Sequence, residues 1–110
     1  MSRKKVCAVL DAAGVQNAHM AYPVNSAPPL PWAVFYLDDD MKLNADNRRW
    51  ASHGTWVVEL MEKSADPELE ERVENAISEA FGDYDKTETW VDLEDCLMTI
   101  YRFTVIERNE

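Results

Sequence analysis

Apolar residues recur along this chain in two rhythms, and the switches between them mark its elements. From Asp66 to Phe81, Leu69, Val73, Ala76, Ile77, Ala80 and Phe81 return every three or four positions, the spacing that lines one face of a helix. Asp66-Pro67 supplies the start: the carboxylate can accept free N–H groups of the first turn, and proline lacks an N–H where none is needed. Gly82 supplies the stop. Glu68, Glu70, Glu71, Glu74, Asn75 and Glu79 fall on the other face and are expected in solvent. After Gly82 the period becomes two, which predicts strands over Tyr84 to Leu93 and Cys96 to Ile106. In the second of these Leu97, Tyr101, Phe103 and Val105 point one way, and Cys96, Met98, Ile100 and Ile106 the other. Phe81 and Phe103 each lie on the apolar side of their element and are expected to meet.

The rest of the chain supplies what packs around this unit. Ser2 to Ala13 reads as a short helix ended by Gly14, with Val6, Val9 and Leu10 as its apolar stripe and Arg3, Lys4 and Lys5 in solvent. Val15 to Tyr22 has room for a short strand at its end. The proline-rich run from Pro23 to Pro31 cannot join a sheet interior, because proline donates no ladder hydrogen bond and biases its predecessor. Trp32 to Leu37 is an almost unbroken apolar run and reads as a strand covered on both faces. Asp38 to Arg49 is acidic and then polar, the longest loop expected. Thr55 to Lys63 is another strand, with Trp56, Val58 and Leu60 on one face and Val57 and Met61 on the other. Together these elements predict one α+β domain: a mostly antiparallel sheet of four to five strands with two helices packed on one face.

That architecture leaves apolar strand faces in excess of what two helices cover. A bare apolar sheet face exceeds what soluble monomers usually tolerate, so a neighbouring copy is the expected cover. Aromatic residues are enriched at interface centres, which puts Trp32, Tyr36, Trp56 and Trp90 near such a contact. The acidic helix face of Glu70, Glu71, Glu74 and Glu79 would stay outside or along a rim. A closed ring requires head-to-tail contacts between two different surfaces.

Charge then narrows the partners. The net charge of -10 opposes binding to a nucleic-acid backbone or an anionic membrane. It also makes subunits repel at low salt, so that assembly is expected only on a suitable partner. The first fourteen residues break their apolar run at Asp11, unlike a signal peptide, and no stretch approaches a membrane span. A cytoplasm, or a particle assembled in one, is the expected setting. Cys7 and Cys96 show no CxxC spacing and are expected as reduced core thiols.

Candidate chemistry is sparse. Asp38, Asp39, Asp40 and Asp46 offer carboxylate oxygens of the type hard cations prefer, but neither the turn glycine nor the closing glutamate of an EF-hand follows. This acidic stretch is expected to bind no divalent metal. His19 and His53 have no second ligand at i+3 or i+4 and are expected at strand ends. Gly14, Gly54 and Gly82 are isolated, so no loop is built to cradle a phosphate. The aromatic residues lack the basic neighbours that base stacking requires. No catalytic residues and no cofactor are expected.

The stretches PLPWAVFYLDDD, NADNRRW, WVVELMEKSADPELEERVENAI and YDKTETWVDLEDCLMTIYRFTVIE resemble, in that order and spacing, the small tail-completion proteins of siphophages and prophages of Gram-positive bacteria, often termed minor tail proteins. The most specific elements are Ala45-Asp46-Asn47 ahead of Trp50, then Lys63 through Glu70, and the closing Tyr101-Arg102-Phe103. The resemblance implies a non-enzymatic virion protein at the head–tail interface. It would form a ring, often a hexamer, that ends the tail tube and contacts the major tail protein and a head-completion or connector protein. Two other classes fit the composition: a small cytoplasmic protein-binding module or regulator encoded in a prophage, and a metal-dependent enzyme working from Asp38, Asp40 and Asp46.

Overall fold

A computed structural model describes the backbone of residues 2–23, 26–45 and 48–108, with side chains for these apart from 2, 39–45, 48–53, 107 and 108. The elements are α1 (Ser2–Ala12), β1 (Asn17–His19), β2 (Trp32–Ala45), β3 (Arg48–Glu62), α2 (Pro67–Phe81), β4 (Tyr84–Val91) and β5 (Cys96–Arg108). Five strands form one sheet in the order β1-β2-β3-β5-β4. β1 pairs parallel to β2, and the other three junctions are antiparallel. The protein is α+β, with a mixed sheet.

Both helices stop where backbone chemistry requires it. Asp66 caps α2 by accepting the Leu69 N–H (3.2 Å), which satisfies one of the first-turn donors. At the other end Gly82 takes φ +89°, a value that a Cβ would strain, and its N–H donates to the Ser78 carbonyl at 2.9 Å. Gly14 ends α1 in the same left-handed region. The carbonyl of Ala13, left open by the end of α1, accepts the Arg72 Nε–H of α2 (3.1 Å), so one helix completes the other.

Strand register sorts the side chains into rows across the sheet. On one side run Leu37, Trp56, Phe103 and Tyr84; then Phe35, Val58, Tyr101 and Lys86; then Ala33, Leu60, Thr99 and Glu88; then Glu62, Leu97 and Trp90. Phe35, Trp56, Val58, Leu60, Tyr101 and Phe103 of these rows form one hydrophobic core with Val6 and Leu10 of α1 and Leu69, Val73 and Ile77 of α2. At about 25 cal/mol per Å² of apolar surface removed from water, this contact is the main source of stability. Phe81 stacks on Phe103 with centroids 4.9 Å apart and planes at 8°, as the two periodicities require. The alternate rows, Trp32, Met61, Met98 and Thr89, then Val34, Glu59, Ile100 and Thr87, lie on the other side of the sheet. Val34, Val57, Met61 and Cys96 of that side are buried, yet none belongs to the core that holds the helices' side chains.

Two expectations need correction. Residues 38–45 and 48–53 are not loop: β2 and β3 continue as a hairpin, with Lys42 opposite Ser52 and Ala45 opposite Arg48. Three adjacent aspartates read as a turn, but ladder hydrogen bonds use only the backbone, and Met41, Leu43 and Ala45 already alternate with polar residues in the manner of a strand. His53 accordingly lies within β3 rather than at a strand end, whereas His19 does end β1. The hairpin fits the elongated form of the molecule, 50 × 29 × 22 Å with a radius of gyration of 15.0 Å, against about 13 Å for a compact chain of this length. Where the hairpin leaves the core, Gly54 is packed so closely that a Cβ would lie 2.9 Å from Leu37 Cδ1 and 3.1 Å from Trp56 Nε1. No helix among the described residues is long and apolar enough to cross a membrane.

Candidate functional sites: a carboxylate cluster and a second sheet face

The polar chemistry of this protein concentrates beneath the first two turns of α2. Glu70 and Glu74 were expected in solvent. The helix instead turns them toward the sheet, and Glu70 is only 8% exposed. They point at Lys86 of β4 and Tyr101 of β5, which are neighbours across that ladder. Lys86 Nζ donates to Glu74 Oε2 (2.7 Å) and Glu70 Oε1 (3.3 Å). The Tyr101 hydroxyl donates to Glu74 Oε2 (2.9 Å) and the Tyr84 hydroxyl to Glu74 Oε1 (3.2 Å). Burial raises the Glu74 carboxyl, but the hydrogen bonds from Lys86, Tyr101 and Tyr84 outweigh it and leave it below the ordinary carboxylate range. The hydrogen bond to Glu74 raises Lys86, and burial followed by the same carboxylate raises Tyr101. The group therefore joins one lysine to two carboxyls and two phenols, with Lys86 and Glu74 charged at neutral pH.

Beside it lies a less balanced pair. Glu62, the last residue of β3, is 1% exposed. Its Oε2 accepts the Asp66 N–H at 3.0 Å, and Glu70 Oε2 accepts the same N–H at 3.3 Å, so two carboxyls converge on one donor. Among the described residues, Glu62 Oε1 and Thr99 Oγ1 are buried without a hydrogen-bond partner. Burial first, and the charge of Glu70 second, push the Glu62 carboxyl up to about 7. Alternation carried the signal for this residue: Trp56, Val58 and Leu60 share a face, and the next position on it is Glu62. A cleft of about 300 Å³ between Leu30-Pro31 and the linker 63–66 opens next to it.

The four aromatic residues expected at an interface do not form one patch. Trp32 and Tyr36 are half-buried on the second side of the sheet. Tyr22 packs edge-on against Trp32 at 5.2 Å, and the Tyr36 hydroxyl donates to Glu59 Oε2 at 2.7 Å. Burial, reinforced by that carboxylate, pushes Tyr36 up to about 12. Trp56 is on the opposite side, 5% exposed, against Phe35 and His19. Trp90 is 50% exposed on β4, at the edge of the sheet and on the same side as Trp56. Trp32 and Tyr36 thus share a face with Met98 and Ile100, which are also part-exposed.

The side chains of Asp39, Asp40, Asp46 and His53 lie outside the described residues, while Asp38 pairs with Arg102 (3.0 Å) at the surface. Among the described residues no group of three histidine, cysteine or carboxylate side chains is placed to hold a metal ion. Cys7 and Cys96 are free thiols on different elements, and burial raises both. A larger open cleft, about 510 Å³, runs past Phe81, Asp83, Tyr84, Phe103 and Ile106 where β4 begins and β5 continues beyond it. No family model matches this chain, and no curated protein matches it.

Proposed function

We propose that this chain is a non-enzymatic structural subunit that assembles with copies of itself into a ring at the end of a phage tail, capping the tube and joining it to the head. The observation that carries the reading is the second side of the sheet. Trp32, Tyr36, Met98 and Ile100 are part-exposed on rows that alternate with the core, with Glu59 the charged residue among them. A neighbouring subunit would remove this surface from water. The extension of β2, β3 and β5 past the core supports the same reading, because a ring needs two unlike surfaces on each subunit, and this extension offers one. The order of the tail-protein-like stretches in the sequence supplies the biological setting. A protein-binding module would use the same surface for a different partner.

Light scattering across protein concentration and ionic strength, followed by electron microscopy with purified tail tubes, tests the proposal. Association that strengthens with salt, and decoration of tube ends, are expected, since each subunit carries a charge of -10. Ile100→Ser should weaken association while leaving a folded monomer. A protein that stays monomeric at high concentration and high salt, and that does not bind tube ends, removes the ring.

A further inference from the structure

The convergence of Glu62 and Glu70 on one backbone N–H calls for a proton that the hydrogen-bond geometry does not otherwise supply. Two carboxylates accepting from the same donor at 3.0 and 3.3 Å are held close enough to repel, and Glu62 has almost no contact with water to screen the repulsion. The second oxygen of Glu62 is buried and unpartnered. A proton on that carboxyl turns one acceptor into a donor toward the other carboxylate and removes the conflict.

We propose that Glu62 and Glu70 share a single proton, and that losing it frees the linker 63–66 and the first turn of α2, so that the pair acts as a pH-operated latch. The other carboxylates around the pair act in the same direction. Asp66 adds a negative charge at the start of α2, and Glu74 adds another one turn after Glu70. Lys86 from β4 is already committed to Glu70 and Glu74, and Tyr101 from β5 donates to Glu74. Neither is free to neutralise a second charge at Glu62. What the latch holds is local. Asp66 is the cap of α2, its N–H is the shared donor, and its carbonyl accepts the Glu70 N–H at 3.0 Å. The linker also forms one wall of the cleft facing Leu30-Pro31, so release of the linker opens that cleft.

The direction with pH follows from linkage. A carboxyl whose folded-state value lies above its unfolded value contributes its full stability below the unfolded value and loses it as pH rises through the folded one. For Glu62 that window runs from 4.5 to about 7. The latch is closed in mild acid and open in mild base.

The test uses the full chain and two NMR measurements. Side-chain carboxyl carbon shifts should show Glu62 titrating near neutrality, well above an ordinary glutamate. Exchange protection of the Asp66, Leu69 and Glu70 amides, corrected for intrinsic rates, should fall by on the order of tenfold to a hundredfold between about pH 5 and about pH 8.5. Glu62→Gln places a permanent donor against Glu70 and should hold that protection high and level with pH. Glu70→Gln removes the second charge but leaves Glu62 buried, so the fall in protection should shrink without vanishing, which provides a second reading if the first variant folds poorly. Ordinary titration of both carboxyls overturns the proposal. So does level protection in the parent protein, or a pH dependence in Glu62→Gln equal to that of the parent. None of these outcomes depends on whether the chain forms a ring.

Discussion

The two ends of α2 rest on the same sheet but are held by different physics. At the C-terminal end Phe81 lies flat on Phe103, in the row shared with Trp56. At the N-terminal end Glu70 and Glu74 reach Lys86, Tyr84 and Tyr101, beside Glu62 and Thr99. The apolar end gains stability in proportion to the area it removes from water, and it does so at any pH. At the polar end the gain depends on completeness: each buried donor and acceptor must be met, and the one carboxyl oxygen that is not met makes the region conditional on a proton. A single helix thus carries a permanent contact at one end and a conditional one at the other.

Substitutions can break this contrast. The largest effect is expected at the apolar end: Phe103→Ala removes the stacked ring and leaves a cavity, a cost of about 3–5 kcal/mol. Urea denaturation at mildly acidic and mildly basic pH should return the same loss at both. A loss that varies with pH would mean that the two ends are coupled.

At the polar end Glu74→Ala leaves the Tyr101 hydroxyl buried without its acceptor and deprives Lys86 of its shortest contact. A cost of about 2 kcal/mol is expected, reduced from the fully buried case because Lys86 and Glu74 remain partly solvated. This loss should depend on pH. The folded-state value of Glu74 lies below its unfolded value, so its contribution is present above 4.5 and is lost as pH falls through the folded value. The acid limb of the parent's stability curve should therefore flatten in Glu74→Ala, with the opposite sign from the effect of Glu62. The polar end is then most secure in mild acid, between the two losses.

The smallest effect sharpens the contrast from outside it. Arg102 and Asp38 form an exposed pair at 3.0 Å on the second side of the sheet, and Arg102→Ala should change stability by no more than about 0.5 kcal/mol, lost in salt. A larger cost would place that side of the sheet under tighter constraint than its exposure shows.

These two ends also differ in how readily a sequence displays them. Asp66-Pro67 and Gly82 announce α2 through local chemistry, and period-two alternation in β5 puts Phe103 toward Phe81 before any coordinates are known. Lys86 and Tyr101 are as regular in their strands, but their partnership with Glu70 and Glu74 comes from a helix 12 to 27 residues earlier in the chain. Nothing local marks an acidic residue as bound for the interior. The same gap hid the hairpin: Asp38 to Asp40 advertise a turn, and only the pairing partner supplied by β3 makes them strand. Sequence reasoning placed Trp32 and Tyr36 beside Trp56 because all are aromatic. Alternation along the unbroken register from Trp32 opposite Met61 to Leu37 opposite Trp56 separates them across the sheet.

The strand order has a kinetic consequence. Each half of the chain contains a helix and a hairpin of its own: α1 with β2–β3, and α2 with β4–β5. The halves meet along the β3–β5 ladder, from Ala51 opposite Arg108 to Glu62 opposite Leu97, with helix-to-helix contact above it. Hairpins close within microseconds, whereas a ladder between strands so far apart waits on loop closure. Each half is thus expected to make its local contacts first, with the seam closing last. The covalent tie across that seam is the linker between Glu62 and Asp66, which is also where the two carboxyls meet. Cutting the chain there would leave two complementary pieces, and their rejoining would report on the seam alone.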